Sequence, residues 1–287
     1  MKPFRWDITR REQLGQLAEV PSPAVYAGFE EDLRAVSARV IDAAGDADLA
    51  FIGRSPESIF DYLSGTLLET SWSERLLLAN LSLRYSTPKD VKRDHPGAMQ
   101  ALRDHLLELR ISPAQLVTRP RPLALIDLVS SGSTFKHVTE LLLDLTIESS
   151  IDPAAVRRKL RYVGITWRTK NSPNTYRWHQ HADWLREFPK SPVKNVSIPG
   201  EMWAYLGNCQ PKVTESNPPW RWAYPNLKSP PRDETNLTAL RRALDVFDLA
   251  SNAEERRSFS NALCDVHAIR QRWCRSLVAE LRGRSST

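Results

Sequence analysis

The chain has 287 residues, 41% hydrophobic and 26% charged, with 11 Gly, 20 Pro and 9 Trp. That ordinary globular composition excludes collagen-like, coiled-coil and disordered classes. The net charge of +6 is unevenly divided: residues 1–150 carry 17 basic and 21 acidic groups (−4), residues 151–287 carry 23 and 13 (+10). Six of the nine Trp lie between Trp167 and Trp222, and a basic, aromatic-rich half points to an anionic partner, a phosphorylated small molecule or nucleic acid. Cys209, Cys264 and Cys274 form no Cys-x-x-Cys pair, which argues against a disulfide scaffold or a Cys-rich zinc site. No apolar run approaches the roughly 18 residues of a membrane span, and no apolar h-region follows Met1. A cytoplasmic protein without membrane contact is expected.

In chain order, Phe29, Leu33, Val36 and Val40 recur at helical spacing, predicting a helix over 28–44. Residues 49–68 read as strand, tight loop and helix: Leu49-Ala50-Phe51-Ile52, then Gly53-Arg54-Ser55-Pro56-Glu57, then Ile59, Phe60, Leu63 and Leu67. Ser55 is expected to cap that helix, with Pro56 in its first turn. Leu76–Leu83 reads as a second strand, followed by a polar, basic loop over 84–97 and a helix over 97–110. Leu123 onward reads as a buried strand entering a Ser/Gly/Thr loop and a helix through 148; Arg161–Trp167 closes the series as a strand. Strands alternating with helices predict an α/β fold with a doubly wound, mainly parallel sheet over 25–167. Residues 168–287 are expected to form an irregular, then helical, Trp/Arg-rich region packed on that core. Its helices are predicted over 236–250 and from a Ser251-Asn252-Ala253-Glu254 cap onward to Leu281.

The stretch Asp127-Leu128-Val129-Ser130-Ser131-Gly132-Ser133-Thr134 carries the chemistry. Small residues let successive backbone amides turn toward one point, four hydroxyls add donors, and the following helix offers its positive end, which together make a phosphate cradle. Asp127, at the carboxyl end of its strand, can accept from sugar hydroxyls or hold a hydrated Mg2+. Neither a Walker A pattern nor Gly-x-Gly-x-x-Gly is present, so neither a P-loop nor the usual dinucleotide fingerprint has support. His179 and His181 are two apart, but no Cys or carboxylate cluster completes a metal site around them.

Leu123 to Thr134 resembles the 5-phosphoribosyl diphosphate (PRPP) signature of the type I phosphoribosyltransferases. The resemblance implies that Ser131-Gly132-Ser133-Thr134 holds the 5-phosphate and that Asp127, as the second acid of the motif, binds the ribose hydroxyls. Ile126 stands where the family has its first acid, and Ser130 where its purine enzymes often carry an acidic base. Gly53-Arg54-Ser55 is similar to the family's pyrophosphate-gripping loop, and Lys89 to His95 to the mobile basic loop of its orotate members.

The resemblance implies a pentosyltransferase using PRPP and Mg2+, with Arg54, Lys89 and Lys92 facing the leaving pyrophosphate, a small-molecule acceptor, and a homo-oligomeric assembly. The alternative is a regulator of the same fold that senses PRPP or a nucleotide without turnover and contacts nucleic acid through its basic half. Trp203, Trp220 and Trp222 are candidates to stack on a ring.

Overall fold

The computed structural model describes residues 13, 15, 22–83, 87–168, 177–188, 192–213, 218–219 and 233–283. Trp220, Trp222 and residues 84–86 of the basic segment lie outside these. The first predicted helix forms as α1, Phe29–Ala44, burying Phe29, Leu33, Val36 and Val40. Glu30, Glu31 and Asp32 occupy its first turn, where negative charge suits the helix dipole. Strand β1 (Asp48–Ile52) leads through the Gly53–Ser55 loop into α2 (Glu57–Thr66). Ser55 does not cap that helix. Pro56 holds the cap position without a side-chain bond, and the Ser55 carbonyl accepts from Gln210 instead.

Strand β2 is shorter than predicted, Leu76–Ala79, and residues 80–83 leave the sheet. The segment expected as a basic loop contains a helix, α3 (Pro88–Asp94). Thr87 and Asp90 form a reciprocal capping box, and Pro88 occupies the first turn. Those local start signals override the polar composition. Next come α4 (Ala98–Glu108), α5 (Pro113–Thr118), β3 (Leu123–Leu128), α6 (Ser133–Glu148), α7 (Pro153–Lys159) and β4 (Leu160–Trp167).

The sheet does not stop at Trp167. Val193–Ile198 adds β5, parallel to β4, with Tyr162 paired to Val193 and Trp167 to Ile198. As an edge strand, β5 mixes exposed Lys194 and Asn195 among its apolar residues, which blurs its signal in the sequence. Five strands in the order β2-β1-β3-β4-β5, all parallel, make an α/β sheet flanked by helices, an order known among doubly wound folds. Beyond β5 come α8 (Gly200–Ala204), a π-helical turn over Tyr205–Cys209, α9 (Glu234–Ser251), α10 (Ala253–Cys264) and α11 (Arg272–Leu281). The long terminal helix expected after Asn252 is broken between α10 and α11, where the Ala268 amide donates to Asp42 at 2.6 Å.

Strand alternation builds two hydrophobic layers. Leu49, Phe51, Ala124, Ile126, Val163, Ile165 and Val196 face α1, α2 and the C-terminal helices; Ala50, Ile52, Leu123, Leu125, Leu160 and Tyr162 face α3 to α7. Burial on both faces is what a parallel sheet requires. On the first of these faces, α9 packs in turn on α2, and α10 on α1 and α2.

Candidate functional site

In this strand order the chain leaves β1 toward β2 and leaves β3 toward β4, so the connections part between β1 and β3. Open parallel sheets bind ligands at the carboxyl ends of strands beside such a divide. A cleft of about 360 Å3 lies there, lined by the segments that follow β1, β2 and β3. It gathers Gly53, Arg54, Ser55, Asp127, Ser130, Ser131, Gly132, Ser133 and Thr134. Segments far apart in sequence converge because all three strands end at the same edge of the sheet.

The Ser/Gly/Thr turn is accessible: Ser130 and Ser131 are exposed, Ser133 and Thr134 partly so. Gly132 holds the cap position of α6 in the left-handed region (φ 79°), so no side chain caps the helix. The ladder of α6 starts with the Lys136 amide donating to the Gly132 carbonyl, 3.1 Å. The amides of Ser133, Thr134 and Phe135 precede it at the helix's positive end. Gly132 is fixed twice over, because a Cβ there would also fall 2.2 Å from the Trp178 ring. Trp178 is buried and donates its indole N–H to Asn195 of β5 at 2.9 Å. The turn is thus braced from the last strand of the sheet.

Asp127 ends β3 almost fully buried. Burial pushes its carboxyl up to about 7, while the Leu128 amide, the Thr134 hydroxyl and the nearby Lys212 favour the ionised form. Ile126, the residue before Asp127, lies in the hydrophobic layer on the α1 side of the sheet. Asp127 is the lone carboxylate among the described residues lining the cleft.

The C-terminal region supplies Trp203, one of the Trp residues named as stacking candidates, and three cleft residues that the sequence left unassigned: Gly207, Asn208 and Lys212. Burial brings the Lys212 ammonium down to about 8, opposed by Glu57 and Asp127 and assisted by Arg54. The ammonium also donates to the Leu206 carbonyl. Gln210, buried, is a second unforeseen residue: its amide nitrogen donates to the Ser55 carbonyl at 2.7 Å, and its oxygen accepts from Ser58 at 2.6 Å. It ties the segment after α8 to the Gly53–Ser55 loop. Residues 203–212 gave no usable signal, since their roles depend on burial beneath other elements rather than on a periodic pattern.

Lys89 and Lys92 are not brought to this cleft. Both ride on α3, and Lys92 pairs with Asp144 (2.5 Å) and Glu148 (3.2 Å) of α6. His179 and His181 lie in a short 3-10 turn, and among the described residues no group of three His, Cys, Asp or Glu is placed to hold a metal. Compared with protein-family models, curated proteins and solved structures, the chain matches none.

Chemically, the described residues of the cleft present helix-end amides and hydroxyls, two cations (Arg54 and Lys212) and one buried carboxylate. Such a constellation suits an elongated ligand that bears anionic groups and hydroxyls.

Proposed function

We propose that this cleft binds PRPP and transfers its phosphoribosyl group to a small acceptor with release of pyrophosphate. The observation that carries the reading is the meeting of the Ser131–Thr134 turn, Asp127 and Arg54 in one cleft at the sheet's divide. The turn's amides and hydroxyls hold the 5-phosphate, and the Asp127 carboxylate accepts from the ribose hydroxyls. Arg54 and Lys212 face the pyrophosphate, offsetting the charge that grows on it as its bond to C1 breaks and the ribose takes on oxocarbenium character. Lys212 joins the assignment from the structure, while Lys89 and Lys92 are given no step, because α3 directs Lys92 to α6.

Mg2+ fits this donor set as an ion held mainly by the ligand's own phosphates, since the metal keeps several waters and needs only one or two protein carboxylates. Asp127, through water, is the residue that would hold it. When bound, the ion supplies charge neutralisation on the pyrophosphate oxygens.

Titration calorimetry with PRPP, with and without Mg2+, tests binding; pyrophosphate release across a panel of acceptors tests transfer. Absence of heat at millimolar PRPP would defeat the proposal. A second reading, a PRPP or nucleotide sensor without turnover, draws support from Ile126, whose buried, apolar position leaves the cleft with a single acid. Binding without pyrophosphate release for any acceptor would favour that reading.

A further inference from the structure

A second hollow, of about 730 Å3, lies between α10, the end of α11 and the segment after α2. It is remote from the cleft. Helix α2 starts beside the Gly53–Ser55 loop and runs ten residues back, about 15 Å. Glu69, on the rim of the hollow, lies between the end of α2 and the start of β2, at the amino edge of the sheet. Among the described residues, three arginines line the hollow: Arg256 and Arg257 from α10, and Arg282 just beyond α11.

None of the three has a carboxylate partner among the described residues. Arg282 donates to the neutral Ser260 and Asn261 side chains, at 3.0 and 2.8 Å. Arg257 and Arg282 are exposed and Arg256 partly so. Of the two acids on the rim, Glu280 is held by the Ser71 amide and hydroxyl at 2.6 and 2.9 Å. Guanidinium forks match phosphate oxygens in geometry and charge.

We propose that this hollow is a second anion site, taking a free polyphosphate: an inorganic or nucleoside ligand with adjacent phosphates. Cations from two helices gather around one concavity rather than along a track, which favours a small ligand over an extended nucleic-acid backbone. No aromatic residue is among the described residues that line the hollow, so recognition falls on the phosphates and not on a base.

Inorganic triphosphate, titrated without Mg2+ into the full chain, is the probe. The cleft is also expected to take an anion, so the titration is run in wild type, in Lys212→Met, and in Arg256→Gln/Arg257→Gln. The Lys212→Met chain should retain the second site, and the double-arginine variant should weaken it by about tenfold or more. Hydrogen exchange with triphosphate present should slow at amides of α10 and α11 in the first two proteins and not in the third. Circular dichroism confirms that each variant is folded; should the double variant unfold, Arg257→Glu, at an exposed position, takes its place. Unchanged affinity in the arginine variants, or no protection of α10 and α11, overturns the proposal. Tighter binding of a single-stranded oligonucleotide than of triphosphate, abolished by the same arginine substitutions, overturns the ligand class. Loss of PRPP binding at the cleft with this site intact would count against the transferase reading alone.

Discussion

Asp127 and Lys212 share one cleft, and burial moves both toward neutrality, the acid up to about 7 and the base down to about 8. For Asp127 the folded value lies above the ordinary 3.8, so its contribution to stability is full below pH 4 and is lost as pH rises through 7. For Lys212 the folded value lies below 10.5, so its contribution is present above that pH and is lost as pH falls through 8. Asp127→Asn should therefore raise stability at pH 8, by on the order of a few kcal/mol, and flatten the pH dependence of urea unfolding between 4 and 7. A variant no more stable than wild type at pH 8 contradicts the buried carboxylate. Ligand binding needs the opposite ionisation states. PRPP affinity should rise as Asp127 ionises near pH 7 and fall above pH 8 as Lys212 loses its proton, with the upper limb absent in Lys212→Met. At Gly132, Ala adds left-handed strain to a clash with Trp178. A loss of about 2–4 kcal/mol in chemical denaturation is expected, with weaker anion binding, because the turn and its brace move together.

Among elements, α2 carries the β1 loop into the cleft and is clamped from two directions. Gly65 lets α9 approach closely: a Cβ there would stand 2.5 Å from the Phe247 carbonyl and 2.8 Å from the Ala250 Cβ. Gly65→Ala should cost about 1–3 kcal/mol in thermal unfolding. At the other end of α2, Gln210 holds the carbonyl of Ser55. Gln210→Ala should weaken PRPP binding at pH 7 without touching a ligand, and Gln210→Glu, which keeps the acceptor for Ser58 and loses the donor, should do the same. Unaltered affinity in both would show that the loop holds its shape unaided. The elements legible in the sequence were those with local signals: α1 from its periodicity, β1 and β3 from short apolar runs, and the turn before α6 from its Ser/Gly/Thr content. Helix α3 was missed despite a capping box, since polar composition masked a start that only Thr87, Pro88 and Asp90 taken together disclose.

For the whole molecule, the sheet continues through β5, and α9 and α10 pack on α2 and α1. A fragment ending at Trp167 would bare the sides of α1 and α2 on which α9 and α10 pack and lose the edge partner of β4. Such a fragment should fail to give dispersed amide signals in an NMR spectrum, whereas an independent core would give them. The same dependence explains the site. The Ser/Gly/Thr turn is local, a property of a dozen consecutive residues, and the sequence by itself determined it together with the alternation of strands and helices. Which cation joins that turn, that Gln210 secures the β1 loop, and that Lys92 is spent on α6 were decided by the tertiary structure. Burial and pairing between segments some 50 to 150 residues apart are set by how the layers pack, and no spacing along the chain encodes them.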